Sequence, residues 1–307
     1  MATASRRHKL LVSAGLAGVV LALAAFAFWR MTEAALFTPL TVAQRVAERG
    51  ETLDPQPSDP APDRWQVTRA VALHHVSTGS GRPVLFVHGG PGFPPAQLPA
   101  ALAQLAADHA VHAYDHRGCG ASTRPLTRPP AGSFYSQLQA VEAELGLAEQ
   151  LADIERIRRR LGVPQLTLVG HSFGGLIAAL YAAEFPEHVS HLLLVAPAAL
   201  AVMPKAGPDL FELVRAKLPE GERAAYDAYL KQYFDFGAAL ALDDAALAQR
   251  YAEFQRYYAL AARTPPALQP SAAGGYLVLA TYASLGRRHD YRPALQRICR
   301  RDLFCQG

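Results

Sequence analysis

Apolar and polar positions divide the chain into three textures. Residues 10–29 form one unbroken run without a charged side chain. From about residue 64, short apolar runs alternate with longer segments of helical spacing. Residues 84–87, 111–114, 166–169 and 191–195 read as strands. Residues 98–107, 141–161 and the Ala- and Leu-rich stretch from 173 to 185 read as helices, and 67–76 as a first strand or hairpin arm. Apolar runs without alternation belong to strands buried on both faces, so strand–helix repetition predicts an α/β fold with a mostly parallel sheet. In residues 204–285, stretches such as 226–236 and 247–260 carry helical spacing with no strand between them. This predicts a helical cap inserted over the carboxyl ends of the strands, where such sheets bind ligands.

The run at 10–29 has the length of a membrane span, and Arg6, Arg7 and Lys9 precede it. That asymmetry predicts a cytoplasmic N-terminus, an anchoring helix and a body on the extracytoplasmic side. A cleaved signal peptide, with secretion of the body, is the competing reading, because small-x-small sites occur at 22–24 and 25–27. Four prolines within 54–63 read as a linker. The predicted organisation is a basic segment (1–9), an anchor (10–29), a juxtamembrane segment and Pro-rich linker (30–63), a core (64–203), a helical cap (204–285) and a return to the core (286–307).

Composition changes this picture little. A chain of 307 residues with 50% hydrophobic residues supports a large core. The net charge of +4 comes from basic residues that are scattered or terminal, which argues against a nucleic-acid partner. Cys119, Cys299 and Cys305 have no metal-ligand spacing, and no metal is expected.

The chemistry concentrates at 166–176, L-T-L-V-G-H-S-F-G-G-L, where an apolar strand meets a G-x-S-x-G frame and a helix opens. A serine on so tight a turn needs neighbours without side chains, and the helix start aims N–H groups at it. Ser172 is the candidate nucleophile and the Phe173 N–H one oxyanion donor. The strand at 84–87 runs into His88-Gly89-Gly90-Pro91-Gly92, in which Gly90 offers a second donor and His88 supports the loop. Residues 115–122, D-H-R-G-C-G-A-S, follow the next strand, and an Asp115–Arg117 pair there would brace a loop beside the site.

These three motifs, in this order, resemble the α/β-hydrolase fold and, within it, the proline iminopeptidase family of serine aminopeptidases, over residues 65–197. The resemblance implies an acyl-enzyme on Ser172, an oxyanion hole from the N–H groups of Gly90 and Phe173, removal of an N-terminal residue, often proline, from a small peptide, and no cofactor. It also implies an acid and then a histidine on loops after later strands. Downstream of the cap His289, next to Asp290, is the candidate base and Asp302 the candidate acid, and 298–307 is polar where a buried strand belongs. The expectation is a chain truncated or frame-shifted near Ile298. Three functions stand open: an aminopeptidase, as the resemblance implies, with Glu253 or Asp243 of the cap holding the substrate amine; an esterase or amidase on small acyl substrates; and a degenerate, non-catalytic relative without base.

Overall fold

In the computed structural model, residues 35–95, 97–262 and 273–299 are described. The predicted anchor at 10–29, Asp302 and Cys305 lie outside them. Among the described residues, no helix is long and apolar enough to cross a membrane.

The chain enters through α1 (Val42–Glu48), β1 (Arg64–Gln66), β2 (Ala72–Thr78), β3 (Arg82–Val87), α2 (Ala100–Leu105) and β4 (His109–Tyr114). It continues through α3 (Phe134–Leu145), α4 (Leu147–Arg160), β5 (Leu166–His171), α5 (Phe173–Glu184) and β6 (Val189–Val195). The sheet runs in the order β1-β2-β4-β3-β5-β6. β1–β2 and β2–β4 pair antiparallel, whereas β4–β3, β3–β5 and β5–β6 are parallel. The parallel centre has the burial its composition demands: Val84, Leu85, Phe86 and Val87 are all buried, because helices cover both faces. β6 is the edge of the described sheet, with Leu193 and Val195 47% and 49% exposed.

Four expectations need correction. Residues 67–76 are not one arm: the chain turns between β1 and β2, with the Val67 N–H donating to the Val71 carbonyl at 3.0 Å. The helix expected over 141–161 is two helices that meet at Gly146. The first N–H of α4, from Leu147, donates at 3.0 Å to Ser284 Oγ, and that hydroxyl donates at 3.0 Å to Glu142 Oε1. A serine distant in sequence thus caps the second helix and supports the break.

The third correction concerns 30–63, whose described part is no solvated linker. Phe37, Val42 and Val46 are buried in the main core, and the Phe37 ring meets Tyr291 edge-on at 5.9 Å. Glu184 accepts the Val42 N–H at 3.0 Å, capping α1 from another helix, and Arg49 donates to Glu144 at 2.8 Å. The Pro-rich stretch is pinned through Arg159–Asp54 at 2.6 Å and Arg160–Asp59 at 2.9 Å.

The fourth concerns Asp115 and Arg117, which brace the same loop through different partners. Asp115 holds His74 at 3.0 Å and the Ala121 N–H at 2.8 Å. Arg117 points into the core and grips Asp153 with two bonds of 2.7 and 2.6 Å and Glu149 at 3.0 Å.

After β6 come β7 (Val202–Met203), α6 (Leu210–Lys217), α7 (Glu220–Tyr233), α8 (Phe236–Leu240), α9 (Asp244–Ala261), α10 (Gly275–Leu285), β8 (His289–Asp290) and α11 (Arg292–Cys299). β7 and β8 pair antiparallel, so a two-residue ladder brings the two ends of the helical stretch together. Its tyrosines are packing groups: Tyr226, Tyr229, Tyr233, Tyr251 and Tyr257 are all buried in one cluster that continues into Val141 and Leu145.

Candidate active site

Ser172 stands between β5 and α5 with φ +52° and ψ −120°, a region that costs a non-glycine residue on the order of 1–3 kcal/mol. The surroundings hold it there. Its N–H donates to the Val195 carbonyl at 3.0 Å, and its own carbonyl accepts the N–H groups of Gly175 at 2.9 Å and Ala198 at 2.8 Å. The glycines are demanded by contact. A Cβ on Gly174 would lie 2.1 Å from the Val87 carbonyl oxygen, and one on Gly89 would lie 2.8 Å from Ser172 Cβ. Strand β3 and its loop are therefore pressed directly against the serine turn.

The loop after β3 continues through Gly90, whose φ of +58° fits glycine. The Gly90 carbonyl accepts the Phe93 N–H at 2.7 Å, closing a tight turn. The Phe173 N–H is the first of α5 and belongs to the set with no acceptor inside its own helix. Donors of this kind, on both sides of a serine, can hold the charge that develops on a carbonyl oxygen under attack.

His88 stiffens the loop. Its Nδ1–H donates to the Gly89 carbonyl at 2.8 Å, and its Nε2 accepts the His116 N–H at 3.3 Å. The two imidazoles stack 3.9 Å apart at 19°. Burial holds both below the ordinary histidine range; His88 further disfavours charge on His116, and His171 does the same to His88. His75, stacked on Trp65 at 3.8 Å, is lowered to about 4 by burial and then by His112. All three residues are lowered in the folded state, so it binds fewer protons than the unfolded chain once the pH drops below the unfolded value of about 6.5. Stability is full above that pH and is lost as pH falls from about 6.5 toward 4. Thermal melts at pH 7.5, 6 and 5 are expected to show a falling midpoint, with His116→Phe reducing the slope; a midpoint independent of pH would refute the assignment.

The candidate base has partners of its own. His289 lies in β8 and commits both ring nitrogens to carbonyls, Nδ1 to Leu285 and Nε2 to Leu200, each at 2.7 Å. It stacks on Tyr291 at 4.2 Å and acts as a strut at the foot of the helical stretch. Among the described residues, no hydrogen bond engages the Ser172 hydroxyl and no cluster of histidine, cysteine or acidic groups could hold a metal. His171, beside the serine, is half-buried and lowered by that burial, which leaves it neutral at pH 7. Val195, Pro197 and Ala198, which seat the elbow, carry no local chemical signature and could be found only from the folded chain.

A family model for the alpha/beta hydrolase fold matches residues 82–272. The chain belongs to this family. An abhydrolase domain-containing protein, lid-1, of Caenorhabditis elegans is 36% identical over 119 residues, which are 38% of this chain and 29% of that protein. A (lyso)-N-acylphosphatidylethanolamine lipase of Mus musculus is 37% identical over 94 residues, 30% of this chain and 24% of the lipase. A cis-3-alkyl-4-alkyloxetan-2-one decarboxylase of Shewanella oneidensis is 33% identical over 126 residues, covering 40% and 35% of the two chains. The matches thus span about a quarter to a third of these relatives. A solved hydrolase structure from Pseudomonas aeruginosa aligns with a TM-score of 0.47 at 20% identity over 73% of this chain and 71% of that one.

Proposed function

We propose that this chain is built for acyl transfer to Ser172 and hydrolyses an ester of a small acyl substrate. The observation that supports this most is the strained serine at +52°, set between the glycine loop of β3 and the first N–H of α5. Attack by Ser172 Oγ on an ester carbon would send charge to the carbonyl oxygen, which the N–H groups of Gly90 and Phe173 would receive. No metal or cofactor is required for that step. The lipase among the relatives makes an ester the first substrate class to test. The narrower aminopeptidase reading needs a carboxylate to hold a substrate amine. Asp243 instead caps α9 through the Ala246 N–H at 2.9 Å, and Glu253 pairs with Arg256.

A second reading is favoured by one observation. Serine needs an imidazole to take its proton, and among the described residues no histidine hydrogen-bonds Ser172. The protein would then keep the nucleophile and oxyanion donors without turnover. One experiment separates the two: a fluorophosphonate probe applied to membranes and soluble fractions of cells that express the full chain. An activated serine is expected to label, to lose labelling completely in Ser172→Ala, and to cleave p-nitrophenyl esters faster than proline arylamides. A folded chain that does not label supports the second reading and sinks the first. We also propose that the body is held outside the cytoplasm by residues 10–29; labelled protein released from membranes by alkaline carbonate would argue against that anchor.

A further inference from the structure

An open cavity of about 370 Å³, lined without Ser172, lies on the α2 face of the sheet at the carboxyl ends of β3 and β4. Its floor follows from strand register. Val76 on β2 pairs with Ala113 on β4, and Ala113 pairs with Phe86 on β3, so three apolar residues stand side by side with the smallest in the middle. The missing volume at Ala113 is the hollow, and Leu98 closes one wall. Val76 remains 53% exposed, an apolar surface that nothing in the described chain covers.

One end of the cavity is polar and rigidly built. His74 lies on the same face as Val76, two residues away along β2. Its backbone N–H donates to Ser122 Oγ at 2.9 Å, its carbonyl accepts the Asp115 N–H at 2.9 Å, and its ring Nδ1 meets Asp115 Oδ2 at 3.0 Å. That carboxylate is locked in turn: it takes the Ala121 N–H at 2.8 Å and sits where a Cβ on Gly120 would be, 2.0 Å away. In the neutral imidazole, Nδ1 carries the proton and donates to Asp115, and Nε2, which makes no hydrogen bond with any described residue, is left as an acceptor beside an apolar hollow.

We propose that this cavity is a binding site for a small molecule with an apolar body and one hydroxyl donor, an alcohol or phenol, whose O–H donates to His74 Nε2. The volume lies at the low end of the range for ligand pockets, about 300–1,000 Å³, and the mix of apolar walls with one oriented polar group is their usual chemistry. The site is separate from Ser172, although His88 lines it and connects it to the loop against the nucleophile. It stands whether or not the serine is activated.

The test uses the full chain and two probes of one shape, 4-butylphenol and butylbenzene, with affinities read by ligand-observed NMR titration. The phenol is expected to bind about tenfold tighter than the hydrocarbon, as one net hydrogen bond allows. His74→Phe should bring the phenol down to the hydrocarbon, and Ala113→Leu or Leu98→Trp, which fill the hollow, should weaken both. Ser172→Ala should leave both affinities unchanged, which separates this site from the acyl chemistry. Equal binding of the two probes to the native chain overturns the proposal. So does phenol affinity that persists in His74→Phe and in both filling variants, each shown to be folded by its melting curve.

Discussion

Changing Asp153 to Asn is expected to cost about 3–5 kcal/mol of folding free energy, the range for removing one partner from a buried ion pair. Asp153 is 1% exposed and lies between two buried cations, Arg117 at 1% and Arg156 at 0%. It accepts two bonds from Arg117 and one from Arg156 at 3.1 Å. Glu149 bridges the same two guanidinium groups at 3.0 and 3.2 Å, and Glu51 closes the outer side of Arg156 at 3.0 Å. Burial alone would raise the Glu149 pKa, but Arg117, Arg156 and Arg49 together hold it below the usual carboxylate range. Without the Asp153 charge, two desolvated cations share one buried carboxylate. Arg117 also carries the loop whose His116 stacks on His88, so the variant should loosen the glycine loop after β3 as well as the core. Urea unfolding monitored by circular dichroism checks the magnitude. A loss below about 1 kcal/mol would mean that water reaches this network, as it does for surface pairs.

Removing residues 1–63 is expected to leave a chain that does not stay soluble, whereas a chain beginning at residue 35 should fold. Phe37, Val42 and Val46 are at most 1% exposed, and burying such side chains contributes about 1.5–3 kcal/mol each. Three of them together approach the whole stability of an ordinary domain, about 5–15 kcal/mol. The cut also strips Arg45 from buried Glu142 and Glu51 from Arg156, and it uncovers Tyr291, whose hydroxyl donates to the Phe37 carbonyl at 3.3 Å. Expression of the two truncations side by side, with soluble fraction and melting curve as the readout, tests this. A soluble, cooperatively melting 64–307 chain would show that α1 is only an appendage.

The same segment shows where local reading stops. Residues 54–63 are rich in proline and acid, and composition of that kind describes a linker equally well whether it floats or is pinned. What pins it is Arg159 and Arg160, about a hundred residues away. Gly146 is the parallel case on a helix: the periodicity across 141–161 continues through it, and the Ser284 hydroxyl that supports the break comes from α10. Asp115 and Arg117 sit two residues apart and invite a pairing by proximity, yet Arg117 finds Asp153 because the turn sends the two side chains in different directions.

The expectation of an aminopeptidase came from motifs that many acyl-transfer enzymes share. These motifs report the geometry around Ser172 and not the substrate; Asp243 and Glu253, the carboxylates considered for a substrate amine, are engaged by the Ala246 N–H and by Arg256. His289 was a candidate by elimination, as the histidine following the cap. Its two carbonyl partners could be seen only after β7 and β8 had paired.

By itself, the sequence determined the parallel strands, the serine elbow and its glycine loop, since each depends on residues within a few positions of one another: apolar runs, and glycines where a side chain would strike the backbone. The tertiary structure alone decided the docking of residues 35–63, the helix break at Gly146, the partner of Arg117, the fate of His289 and the hollow over Ala113. Each of these depends on which distant groups share a low-dielectric interior or a strand register, and such neighbours are chosen by the packing of the whole chain.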